Sequence, residues 1–259
     1  MPIKLTILGS GTAVPSLERS SCSILMECGG AEMLFDIGAG TMRRLLESGH
    51  SISELTHVFI SHFHTDHTGE LASFLFSTKY PETLRRRTPF VLAGAEGLRD
   101  FHQRLIGAFG HWIELAPEIL SIIELSRTGR DHADFKGFSI DTLPMDHIES
   151  SIGYRVTAPD GACAVYTGDT DYSENVIDLA RNADLMVCES AMPDSGKVEK
   201  HLTPSLAGEL AARAGVKRLV LTHFYPEAER ADLESECRKS YKGPLVLARD
   251  LMVIEAAKS

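Results

Sequence analysis

SHFHTDHTG, residues 61–69, follows directly on the apolar run HVFI at residues 57–60. A short apolar run that ends in turn residues reads as a strand. Alternate residues at a strand's end project to the same side, so His62 and His64 reach toward one point. Asp66 and His67, in the turn that follows, face another. Three imidazoles and a carboxylate packed this closely are costly to desolvate unless a cation gathers them. Zinc favours such donors, and manganese or iron can replace it without any change of residue.

Four ligands do not complete two metal sites, so the remainder must come from later in the chain. Three residues stand where apolar runs end: His147 in LPMDHIES, Asp169 in VYTGDT and His223 in LVLTHF. Each has a rigid support behind it, which is how precise sites are held. Working outward, further β-rich runs recur between turn residues: KLTILG, CSILMEC, EMLFDI, PFVLAG, ILSIIEL, FSIDTL, SIGYRVTA, CAVYTGD, LMVCES and RLVLTHF. Helical patterns fall between some of them. One has Thr203 as N-cap, Pro204 in the first turn, an apolar face of Leu206, Leu210, Ala211 and Ala214, and a stop at Gly215. Others are expected through TMRRLLES, ELASFLFSTKY, SENVIDLARNA and the charged stretch from Ala228 to Ser240. This alternation predicts an α/β architecture in which two mixed sheets pack face to face under outer helices.

The chain has 259 residues, 43% of them hydrophobic and 24% charged, as expected for one ordinary globular domain over residues 1–259. No apolar run is long enough to span a bilayer, and MPIKLTILGSG enters a strand pattern without a signal peptide's apolar region, so a cytoplasmic protein is expected. The five cysteines are scattered, with no C-x-x-C pair, and read as reduced core thiols. GSGTAVP, residues 9–15, lacks the G-x-G-x-x-G spacing of a dinucleotide loop, so no nucleotide cofactor is expected. A formal net charge of −10 disfavours broad attraction to a polyanion such as RNA, although two divalent ions would still attract a small anionic substrate locally. The basic stretch from Lys79 to Arg87 has two readings, a solvated loop or a clamp for substrate phosphate.

Taken together, LGSGTAVPSLERSSCSIL, LFDIGAGT, ISHFHTDHTGEL, PFVLAG, MDHIESSIGYRV, YTGDT, CESAM, HLTPSLAGELA and LTHF resemble the metallo-β-lactamase superfamily, most closely its ribonuclease Z branch. The resemblance covers nearly the whole chain. It implies a four-layer αββα sandwich in which His62, His64 and His147 bind one zinc, Asp66, His67 and His223 bind the other, and Asp169 bridges them. It also implies a homodimer. Asp36 becomes a carboxylate that orients a ligand imidazole, or else a cap for the helix at TMRRLLE. His201 and Glu189 become a proton donor and the group that orients it, or else a residue preceding a helix and one on a surface loop.

Such a centre implies hydrolysis of a phosphodiester by metal-activated water, with Asp66, His201 and Glu189 as the catalytic side chains. The sequence departs from ribonuclease Z in several places. Only 21 residues separate His147 from Asp169, and 31 separate Asp169 from His201, with no room for an arm that grips transfer RNA. Thr65 and Glu70 stand where glycine is usual, and HLT replaces HST. These departures favour a small or cyclic nucleotide-type diester. A transfer-RNA 3′ nuclease, a lactone or thioester hydrolase, and a non-catalytic metal-holding protein remain as alternatives.

Overall fold

The computed structural model describes residues 2–258. The first sheet is built from β1 (Ile3–Gly9), β2 (Ser23–Cys28), β3 (Ala31–Phe35), β4 (His57–Ile60), β5 (Phe90–Ala95) and β6 (Leu120–Leu125). The second takes β7 (Asp131–Phe135), β8 (Phe138–Pro144), β9 (Ile152–Thr157), β10 (Cys163–Tyr166), β11 (Leu185–Glu189), β12 (Leu219–Thr222) and β13 (Leu245–Leu247). The chain then returns, and β14 (Val253–Ala256) pairs antiparallel with β1. Both sheets are mixed. β3 to β6 run parallel, as do β10 to β13, and the remaining neighbours are antiparallel.

The central strands are apolar on both faces because each sheet is covered on both sides. Ile7, Ile24, Met26, Met33, Phe35 and Phe59 face the second sheet's Ile140, Tyr154, Tyr166 and Val187 in one buried cluster. Their neighbours Leu8, Leu25, Leu34, Val58 and Ile60 point the other way. Those side chains pack under α1 (Thr41–Glu47), α3 (Leu71–Lys79) and α4 (Leu98–Phe109), with the single-turn α2 (Thr65–Thr68) between the first two. α5 (Glu174–Leu179), α6 (Pro204–Ala214) and α7 (Leu233–Cys237) cover the second sheet. This is the four-layer αββα sandwich the sequence predicted.

α6 has the expected limits, with Thr203 before it and Gly215 in the left-handed conformation after it. The helix expected from Ala228 to Ser240 is broken. A 3₁₀ turn at Ala228–Arg230 stops, and Asp232 caps a new start by accepting from Ser235 N at 3.0 Å. α4 went unread although Leu98, Phe101, His102, Leu105 and Ile106 recur at helical spacing on its packed side. β7 went unread because DHADF is polar and lies at the sheet's edge.

Part of the basic stretch serves the fold. Arg86 is buried, donates to the carbonyls of Ile52, Leu55, Thr88 and Pro89, and stacks on Phe90. Lys79 donates to the carbonyls of His111 and Glu114. Arg85 and Arg87 both lie beside Glu82. All five cysteines are buried free thiols. No helix among the described residues is long and apolar enough to cross a membrane.

Glu70, unexpected in place of glycine, has a structural task. Its two carboxylate oxygens accept from Gly40 N and Met42 N, each at 2.8 Å, and so serve otherwise unpaired donors at the start of α1. Glu70→Ala is expected to lower unfolding free energy by about 1–2 kcal/mol, read from urea titration, with Glu70→Gln recovering part of the loss.

His57 lies among the rings of Phe59, Phe135 and Phe138. Burial lowers its pKa from 6.5 to about 4. Between those values the unfolded chain binds the extra proton, so this stabilisation is complete above pH 6.5 and is lost as pH falls toward 4. Removing that liability in His57→Phe should flatten the fall in stability across this window by up to on the order of 3 kcal/mol. Urea unfolding at several pH values checks it, and parallel curves for the two proteins would refute it.

Candidate metal and catalytic centre

The seven residues singled out in the sequence converge at one end of both sheets. His62 and His64 follow β4, Asp66 and His67 lie in α2, His147 follows β8, Asp169 follows β10 and His223 follows β12. Their donor atoms form two groups, His62, His64, His147 and Asp169 in one and Asp66, His67 and His223 in the other. Within each group the atoms lie within 4.8 Å of one another. His147 Nε2 is 3.1 Å from His64 Nδ1.

Asp169 stands between the groups. Its Oδ2 is 3.7 Å from His62 Nε2 and 3.8 Å from His147 Nε2, whereas Oδ1 is 3.3 Å from His67 Nε2 and 3.4 Å from His223 Nε2. Asp66 Oδ2 lies 3.4 Å from His223 Nε2 and 3.8 Å from His67 Nε2.

Close backbone packing sets these loops. A Cβ on Gly38 would fall 1.8 Å from the Asp66 carbonyl oxygen, and one on Gly168, whose φ is +57°, would fall 2.7 Å from Ser61 Cβ. Ile37 N donates to His67 O and Glu70 N donates to Ile37 O, which fastens the DIGAG loop to the histidine motif.

Asp36, wholly buried and left-handed at φ 59°, collects four donors. Ser61 N and Ser61 Oγ each donate at 2.7 Å, His67 Nδ1 at 2.7 Å and Tyr166 Oη at 2.6 Å. Ser61 Oγ in turn lies 3.0 Å from His62 Nδ1. One carboxylate therefore orients His67 directly and His62 through a hydroxyl, turning the Nε2 atom of each toward the cluster. The helix-capping role considered for it belongs to Glu70. Ser61 and Tyr166 were missed in the sequence, where only their position at the end of an apolar run marked them.

Glu189 is not on a surface loop. It ends β11, is 1% exposed, and accepts from Thr170 N at 2.8 Å and Leu202 N at 3.1 Å. His201 Nδ1 donates to its Oε1 at 2.9 Å. The His201 ring centroid lies 4.8 Å from that of His147 and 5.5 Å from that of His223. Half-buried Tyr225, also unread in the sequence, stands beside His201 and His223.

The electrostatics divide the histidines. Burial lowers the pKa of His62 and His147, which keeps these rings neutral. At His67 burial also disfavours charge, but the Asp169 and Asp36 carboxylates outweigh it and raise its pKa well above an ordinary imidazole's. His201 shows the same contest, and its hydrogen bond and charge interaction with Glu189 win. Burial raises the Glu189 carboxyl. For Asp66 and Asp169 burial opposes ionisation, yet the facing histidines overcome it and hold both carboxylates low.

The donors fit divalent metal. His62 Nε2, His67 Nε2 and Asp169 Oδ1 are buried without a hydrogen-bond partner, an arrangement that a cation would satisfy. His201 also falls within reach of a third combination, with Asp169 and His223, but its Nδ1 is engaged by Glu189.

The chain is 27% identical to ribonuclease Z of Archaeoglobus fulgidus across 98% of both proteins, and 29% identical to an uncharacterised protein of Mycobacterium tuberculosis across 94% of this chain and 88% of that one. Among solved structures, the metallo-β-lactamase fold protein YhfI of Bacillus subtilis superposes with a TM-score of 0.84 at 22% identity, covering 99% of this chain and 100% of that one. The short form of human tRNase Z gives 0.81 at 26% identity, covering 98% and 100%. Two seven-stranded sheets and the clustered His and Asp donors agree with these likenesses, which make the chain a ribonuclease Z-like metallohydrolase of the metallo-β-lactamase superfamily. A family model described as anti-Pycsar protein Apyc1 matches residues 3–239, and the chain belongs to that family.

Proposed function

We propose that the chain is a phosphodiesterase acting on small, cyclic nucleotide-type diesters, with zinc as its metal. The observation that carries this reading is the hydrogen bond from His201 to buried Glu189 at the edge of the metal cluster. A thiolate leaves a thioester without needing a proton, whereas the alkoxide released from a nucleotide diester needs one. A His201 ring held through Nδ1 presents Nε2–H to that oxygen.

In this reading His62, His64 and His147 hold one ion, Asp66, His67 and His223 hold the other, and Asp169 joins the two sites. When bound, the ions supply positive charge for the phosphate oxygens and make water reactive near neutral pH. Asp66 contributes an anionic oxygen that orients the attacking water. Glu189 fixes the His201 ring and stabilises its protonated form, and Asp36 keeps His62 and His67 turned inward.

The ribonuclease Z relatives support phosphodiester chemistry. Substrate size is argued from the chain's short loops. The alignment with the archaeal relative runs over 310 positions although this chain has 259 residues, so the relative carries segments with no counterpart here. Maturation of transfer RNA is the second reading, favoured by the same relatives, and cleavage of a precursor transcript at the discriminator base would establish it.

Metal-loaded protein should hydrolyse bis(p-nitrophenyl) phosphate and cyclic nucleotides, and His64→Ala should abolish both activities. Absence of turnover on every diester would overturn the reading. His201→Ala is expected to cost roughly 10²–10⁴-fold in kcat on a cyclic nucleotide and far less on the p-nitrophenyl ester, whose leaving group needs no acid. Asp36→Asn should weaken metal binding by roughly 10–100-fold in chelator competition, because the amide cannot accept from all the donors the carboxylate serves. Unchanged affinity in a folded Asp36→Asn protein would separate Asp36 from the metal ligands.

A further inference from the structure

The segment from Lys197 to His201 makes contacts that neither the metal ligands nor the His201–Glu189 pair accounts for. Lys200 is left-handed at φ 67°, a conformation L residues rarely adopt. Its carbonyl accepts from His147 Nδ1 at 2.9 Å, so this residue sets which nitrogen of His147 faces the cluster. The next residue is His201. One short segment therefore positions both a proposed metal ligand and the proposed proton donor.

Asp171 holds that segment. Its Oδ2 accepts from Lys200 N at 2.9 Å and from Lys197 Nζ at 2.8 Å, while Oδ1 accepts from Tyr172 N at 2.8 Å. Its own backbone N donates to Asp146 O at 2.8 Å, and Asp146 N donates to Thr170 Oγ1 at 3.1 Å. Lys200 Nζ meets Asp146 Oδ1 at 2.6 Å. Three loops, those carrying His147, Asp169 and His201, are thus joined around one carboxylate whose side chain is only 19% exposed.

We propose that Asp171 is a positioning residue that acts through Lys200, fixing the carbonyl that orients His147 and the backbone that presents His201. The inference rests on the reading of His147 as a metal ligand and of His201 as general acid. Lys197 completes the latch from outside and is not itself required for the Lys200 contact. An asparagine at position 171 keeps its one oxygen for Lys200 N while losing the charge shared with Lys197 and the second acceptor that serves Tyr172 N, so it should restore most of what alanine removes through Lys200.

The test compares wild type, Asp171→Ala, Asp171→Asn and His201→Ala by two readouts. The first is zinc affinity by chelator competition, which needs no substrate. The second is kcat across a series of substituted phenyl esters of thymidine 5′-phosphate. Asp171→Ala should bind zinc roughly tenfold more weakly. Its kcat should fall about tenfold for phenol as leaving group and much less for p-nitrophenol, a weaker version of the His201→Ala profile. Asp171→Asn should lie near wild type in both.

If Asp171→Ala matches wild type in both readouts while His201→Ala shows the steeper dependence, the positioning role falls and the general-acid reading stands. If His201→Ala itself shows no steeper dependence, the general-acid reading falls, and zinc affinity alone then judges the His147 arm. Should the alanine variant fail to fold, Asp171→Asn and Lys197→Met decide: both near wild type supports the Lys200 contact, whereas equal losses in the two would show that the charge pair with Lys197, and not the Lys200 contact, is what matters.

Discussion

One buried carboxylate, Asp36, ties the two sheets together at the end where the site is built. It follows β3 of the first sheet, and among its donors are Ser61 beyond β4 and Tyr166 at the end of β10 in the second. A carboxylate in a dry interior is tolerated only when its oxygens are engaged, and four donors accomplish that here. The arrangement also explains why the backbone at Asp36 is left-handed. The chain must turn sharply out of the strand to place the side chain among these donors, and aspartate accepts that conformation more readily than a branched residue does.

The same logic repeats on the other side of the cluster with less symmetry. Glu189 ends β11 and gathers Thr170 N, Leu202 N and the His201 ring, so the second sheet also ends in a buried carboxylate that holds loops from elsewhere. His223, like Asp36, is left-handed directly after a strand. Functional side chains thus leave the ends of rigid strands, and their directions are fixed by acceptors that are themselves buried. The site's precision comes from this supporting layer as much as from the ligands.

Much of this was legible in the amino-acid order. Apolar runs such as ILMEC and LVLT announce strands because burial on both faces demands them, and the histidine motif announces a cation because few other uses justify burying those side chains together. The positions of His147, Asp169 and His223 followed from the rule that precise ligands stand at strand ends. What stayed hidden depends on partners distant in sequence. Nothing local distinguishes Ser61 or Tyr166 from other hydroxyls, and Asp171 acquires its role only when the loop of Lys200 comes to lie against it. β7 was invisible for a different reason, since an exposed edge strand has no apolar pattern to show. Glu70 read as an anomaly until the start of α1 was found beneath it.

Charge then bears on substrate size. The cluster contributes two carboxylates, Asp66 and Asp169, so two divalent cations seated there would leave an excess of positive charge within a protein whose formal net charge is −10. The field of such a local excess is screened over a Debye length of about 8 Å, so it acts mainly on an anion that reaches the cluster. A long polyanion must also lie against the acidic exterior, where each phosphate meets repulsion unless a dedicated basic surface receives it. In the stretch richest in arginine, Arg86 is turned inward onto four carbonyls and Arg85 and Arg87 lie beside Glu82. A positive centre set within an acidic protein is therefore the electrostatic basis on which the proposed compact anionic substrate is preferred to a long nucleic acid.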